Sequence, residues 1–111
     1  MDTQATILAL AALAQESRLA VFRLLVQVGP EGMAATKIGE ELGIAPSSMS
    51  FHLKELAHAQ LVSMRREGRS LIYSANFGVM NALVGFLTEN CCGGNVCSPA
   101  SACRPAGKAK A

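Results

Sequence analysis

The chain has 111 residues, of which 50% are hydrophobic and 16% charged; this is too apolar for a disordered protein and the right length for one domain. A mean hydropathy of +0.30 leaves more apolar surface than one small core hides, so self-association is expected. The net charge of +2 conceals an uneven layout: residues 1–46 carry three basic and five acidic side chains, residues 47–74 four and two, residues 75–90 one acid, and residues 91–111 three basic and none acidic.

Residues 4–14 are almost uniformly apolar, with Ile7, Leu8, Leu10 and Leu13 among alanines. A short helix here needs cover on most sides, part of it from a second chain. The segment does not read as an export signal, because Asp2 precedes it and no Lys or Arg comes before Arg18. It is also shorter than the roughly 20 apolar residues that span a bilayer. The chain therefore reads as cytoplasmic, with no membrane partner.

Ser17 is a plausible cap for a helix over 18–28, whose Leu19, Phe22, Leu25 and Val26 follow the spacing of one buried face. Gly29 and Pro30 stop it. After Gly32, Thr36 is placed to cap a short helix over 37–42 carrying Ile38 and Leu42, which Gly43 closes. Pro46 opens the next helix, over 46–58, where a missing N–H costs nothing. Met49, Leu53 and Leu56 form its buried stripe at i, i+4 and i+7, and Ser47, Ser48, Ser50, Phe51, His52, Lys54 and Glu55 fill the remaining positions. Residues 61–74 read as two short strands around an Arg-Glu-Gly-Arg turn. A last helix, about 76–90, carries an apolar band from Phe77 to Leu87 that is wider than one core requires. The first and last helices are thus the expected homodimer seam.

A short helix, a glycine-containing turn and a second helix with a small polar N-terminal face make a helix-turn-helix. A basic hairpin directly after it is a wing. The expected fold class is mainly α with a β-hairpin wing, a winged helix-turn-helix. Ser47, Ser48, Ser50, His52 and Lys54 would then face the major groove, and Arg65, Arg66 and Arg69 the phosphates or minor groove. The serines fit a solvated helix start as well, His52 fits a packed histidine equally, and the arginines fit a solvated hairpin tip. Phe51 and Tyr73 read as packing residues, and His58 carries no signal. No phosphate-binding glycine loop or catalytic constellation is present in the sequence, so an enzyme is not expected.

The run ELGIAPSSMSFHLKELAHAQLV, preceded by ESRLAVFRLL and followed by REGRSLIYSAN, resembles the ArsR/SmtB family of bacterial metalloregulators over roughly residues 5–90. The resemblance implies a homodimeric repressor that lies on double-stranded operator DNA and leaves it when a metal or metalloid binds. Residues 1–90 would form the DNA-binding and dimerisation domain and residues 91–111 a cysteine-containing tail. One family branch senses arsenic through cysteines on the first helix of the helix-turn-helix; the matching positions here are Ala34, Thr36 and Gly39. The zinc-sensing branch uses Asp and His on the last helix, where this chain offers only Glu89. Cys91, Cys92 and Cys97 instead resemble a further branch of arsenic sensors, with a vicinal pair plus a third C-terminal cysteine.

The tail chemistry stands beside that resemblance. All four cysteines, Cys91, Cys92, Cys97 and Cys103, lie in the last 21 residues, a local cluster unlike a secreted disulfide framework. Thiolates suit a soft ion such as As(III), and three suffice for a pyramidal site. Gly93 and Gly94 supply a bend for Cys97 to reach the pair, and the shorter loop favours Cys97 over Cys103 as third ligand. Trivalent arsenic is thus the expected inducer, with antimonite or an organoarsenical as alternatives of the same thiophilic chemistry. A thiol redox sensor and a Zn, Cd or Pb sensor on the same fold remain alternatives.

Overall fold

The computed structural model describes residues 1–94. Helix α1 spans Thr3–Leu13, α2 Glu16–Val28, α3 Ala35–Leu42, α4 Pro46–His58 and α5 Phe77–Leu87. Strands β1 (Met33–Ala34), β2 (Val62–Glu67) and β3 (Ser70–Ala75) form one antiparallel sheet in the order β1-β3-β2. A mainly α fold with a hairpin wing is what the sequence predicts; β1 is the addition, too short at two residues to show a period.

Helix α1 begins where Asp2 accepts a hydrogen bond from the Ala5 amide at 2.7 Å. It turns 103° into α2. At that elbow the Gln15 side chain, not Ser17, caps α2 by accepting from the Arg18 amide. The Arg18 Nε donates to the Ala12 carbonyl at 2.6 Å, satisfying one of the carbonyls left over at the end of α1. With the helix started earlier, Val21, Phe22 and Leu25 form its buried face, while Leu19 is 44% exposed. The expected Leu19 face is therefore corrected: the buried face is centred on Leu25, which takes in Val21 and leaves Leu19 outside it.

Helix α3 starts at Ala35 without a side-chain cap, and Thr36 lies inside it. Ala34 is held extended by its pairing with Ile72, which sets the helix entry in place of the expected Thr36 cap. Gly43 ends α3 in the left-handed region, at φ 66 and ψ 37, as predicted. Pro46 sits in the first turn of α4, whose buried residues are Met49, Leu53 and Leu56. These join Val21, Leu25, Ile38 and Leu61 in one core.

The hairpin pairs Val62 with Ala75 through to Glu67 with Ser70, leaving Gly68 and Arg69 at the tip. Asn76 caps α5 by accepting from the Val79 amide at 3.2 Å. Helix α5 stops at Leu87 and buries only Leu83, leaving Val84 and Leu87 exposed. Helix α1, which packs on α5, buries Thr6, Ala9 and Ala12 and exposes Ile7, Leu8 and Leu10. The cover expected over α1 is thus missing within one chain. Among the described residues, no single helix is long and apolar enough to cross a membrane.

Candidate nucleic-acid interface and thiol site

A residue step of about 100° around a helix places Met49, Leu53 and Leu56 on one side of α4 and Ser47, Phe51, Lys54 and His58 on the other. The burial pattern agrees: Ser47, Ser48, Ser50, Phe51, Lys54 and His58 are exposed, and His52 and Glu55 are half-buried on the flank. Phe51, read from sequence as packing, is 56% exposed. The angular spacing could have shown this, since Phe51 stands two residues from Met49 and Leu53, on the far side of the helix. Tyr73, by contrast, packs against the core as expected.

His52 Nδ1 is buried without a hydrogen-bond partner, and its ring meets that of Phe51 edge-on, centroids 5.9 Å apart at 63°. A packed histidine bonding backbone through Nδ1 is therefore not what is found. Between the α3–α4 unit and the hairpin runs a groove of about 870 Å³, lined by Met49, Leu53, Met64, Leu71 and Tyr73 together with Ser50 and Lys54. Two of the polar α4 residues thus share a concave surface with the root of the wing.

The three wing arginines are not equivalent. Arg65 Nε donates to Glu67 Oε2 at 2.7 Å, and Arg65 Nη2 donates to the Glu31 carbonyl at 2.8 Å, tying the hairpin to the loop before β1. Arg66 and Arg69 are exposed, and among the described residues neither they nor Lys54 form an ion pair. Glu31 was invisible from sequence because its backbone carbonyl, not its side chain, is the partner. Gly32 follows it at φ +73, where a Cβ would run into the Tyr73 carbonyl.

Past α5 the chain makes a tight turn over Cys91–Gly94. Asn90, Cys92 and Gly93 all take positive φ, at 58°, 56° and 67°. Asn adopts this region readily, so the cost falls on Cys92, roughly 1–2 kcal/mol. The turn sets the Cys91 and Cys92 sulfurs 3.8 Å apart. Cys97 and Cys103 lie outside the described residues. Among the described residues, no three His, Cys, Asp or Glu side chains gather as a metal site.

A helix-turn-helix followed by a basic antiparallel hairpin defines the winged helix class. A helix-turn-helix domain family model matches residues 13–65. The nodulation protein NolR of Rhizobium meliloti is 31% identical over 80 residues, 72% of this chain. The match spans 63% of that protein, less than two thirds of its length. The uncharacterised HTH-type transcriptional regulator YceK of Bacillus subtilis (strain 168) is 35% identical over 77 residues, covering 68% of this chain and 76% of that one. Among solved structures, the homodimeric winged helix-turn-helix DNA-binding domain of a possible ArsR-family regulator from Mycobacterium bovis is similar. It superposes with a TM-score of 0.61 at 26% identity, covering 85% of this chain and 87% of that one. The chain belongs to the helix-turn-helix transcriptional regulators, in the winged, ArsR-like superfamily. That is a class of regulators, not of enzymes.

Proposed function

We propose that the chain is a transcriptional repressor that binds operator DNA as a homodimer and is released by trivalent arsenic. The observation that carries the DNA reading is the outward face of α4, where Ser47, Ser48, Ser50 and Lys54 are exposed opposite a buried stripe and beside a basic hairpin. Such a helix fits the major groove, with hydroxyls and one cation near base edges and phosphates. His52 contributes from the flank. Arg66 and Arg69 meet phosphates, while Arg65 braces the wing through Glu67 and the Glu31 carbonyl. The exposed Ile7, Leu8, Leu10, Val84 and Leu87 of α1 and α5 form the dimer seam, in keeping with the homodimeric M. bovis domain.

Cys91, Cys92 and Cys97 are the proposed inducer ligands. Two sulfurs bonded at about 2.3 Å, a usual metal–thiolate length, stand at most about 4.6 Å apart. The 3.8 Å separation of Cys91 and Cys92 therefore lets one ion join both. With arsenite as As(OH)3, three S–As bonds form and three As–OH bonds break. Each thiol proton leaves with a hydroxide as water. The ion pulls the end of α5 toward the tail, resetting the two α4 helices of the dimer relative to each other. The left-handed backbone at Cys92 supports a poised turn here.

The test is an anisotropy titration on a duplex from the DNA upstream of the chain's own coding sequence, using reduced protein. As(III) should release wild type and Cys103→Ser but not Cys91→Ser, Cys92→Ser or Cys97→Ser. Retained release in all three variants would contradict the ligand set. The neighbouring sulfurs of Cys91 and Cys92, 3.8 Å apart, also suit a second reading, a thiol redox switch on the same fold. In that case peroxide, not As(III), releases the duplex.

A further inference from the structure

We infer that Phe51 reads the methyl group of a thymine in the major groove, an inference that rests on the proposed DNA-binding function. Among the described residues, Phe51 is the one exposed aromatic side chain and the one exposed large hydrophobic residue on α4. Singly exposed apolar residues are ordinary on protein surfaces, so its place carries the argument. It lies opposite the buried Met49, Leu53 and Leu56, one turn after Ser47 and just before Lys54. The His52 ring meets it edge-on, with centroids 5.9 Å apart.

The surroundings select the occupant. Apolar surface for a protein partner lies on α1 and α5 and in the groove lined by Met49, Leu53, Met64, Leu71 and Tyr73, and Phe51 lines neither. Around Phe51 stand hydroxyls and the unpaired cation of Lys54, with Arg66 and Arg69 exposed on the neighbouring hairpin. That pattern complements a polyanion. The apolar feature a duplex presents in its major groove is the C5-methyl of thymine, which distinguishes T from C and which phenylalanine contacts well. Phe51 would thus supply discrimination that serines, bonding to many acceptors and donors, do not.

The experiment exchanges single thymines for deoxyuridine through the protected half-sites of the upstream duplex, removing one methyl at a time. Binding of wild type and Phe51→Ala is read by anisotropy. At one thymine per half-site the exchange should weaken wild type about 4-fold, the worth of one buried methyl-sized group, and Phe51→Ala by less than about 1.5-fold. Phe51→Leu, which keeps an apolar side chain, should retain part of the dependence. Equal losses for wild type and Phe51→Ala, or no sensitive thymine in a duplex that wild type binds tightly, would overturn the inference and leave the DNA reading standing. A change in oligomeric state on Phe51→Ala would overturn it too, assigning the ring to a second copy. Absence of salt-dependent binding by wild type would overturn both.

Discussion

Gly32→Ala should cost far more stability than its position in a loop suggests. Gly32 stands at φ +73, and a Cβ built there presses on the Tyr73 carbonyl oxygen, comes within 3.0 Å of the Tyr73 carbonyl carbon and 3.1 Å of Ser74 Cβ. The left-handed backbone alone costs an alanine roughly 1–2 kcal/mol. Backbone does not yield like a flexible side chain, so relief requires β1 to move off β3. The pairs Met33 with Tyr73 and Ala34 with Ile72 then loosen, at about 1 kcal/mol per hydrogen bond. The total is about 3 kcal/mol. Gly43→Ala is the control: φ is +66 but nothing lies within 4 Å, so only about 1–2 kcal/mol is at stake. Urea denaturation at one fixed protein concentration, which holds any dimer contribution constant, measures both. Equal losses for the two variants would refute the reasoning, because they would show that the approach to Tyr73 contributes nothing. Displacing the loop also moves the Glu31 carbonyl that Arg65 holds, so Gly32→Ala should weaken DNA binding as well.

Arg65→Gln should leave the salt dependence of operator affinity unchanged while lowering affinity at every salt, whereas Arg66→Gln should reduce the log–log slope by about 1 per wing. The Arg65–Glu67 pair is 44% and 59% exposed, so the Arg65→Gln loss of fold stability should stay within about 1 kcal/mol. Leu87→Glu places a charge on an exposed apolar position of α5; sedimentation should shift toward monomer, with the circular dichroism of the fold retained. An unchanged dimer would move the seam away from α5.

Much of the DNA-facing half is legible in the sequence because its chemistry is local. Pro46 at the start of α4, the Met49, Leu53 and Leu56 stripe, and Gly43 in the left-handed region each declare themselves within a few residues. What was not legible depends on distant partners. The capping of α2 moved from Ser17 to Gln15 where Arg18 reaches back to Ala12. Thr36 lost its capping role because Ala34 pairs with Ile72, 38 positions along. The Arg65 brace ends on a backbone carbonyl 34 residues away, which no pattern of side chains announces. Phe51 was misread through its residue type, although its angle on the helix pointed outward. At the thiol site, Cys91 and Cys92 are brought together, and Cys97 falls outside the described residues.

If arsenic and operator compete through one conformational equilibrium, each must weaken the other by the same factor. The decisive measurement is the As(III) affinity of reduced protein, alone and saturated with upstream duplex, with As(III) binding followed by thiolate–arsenic absorbance. The account predicts weaker As(III) binding on DNA, by the factor with which As(III) weakens duplex affinity. Identical As(III) affinity in the two states would contradict it.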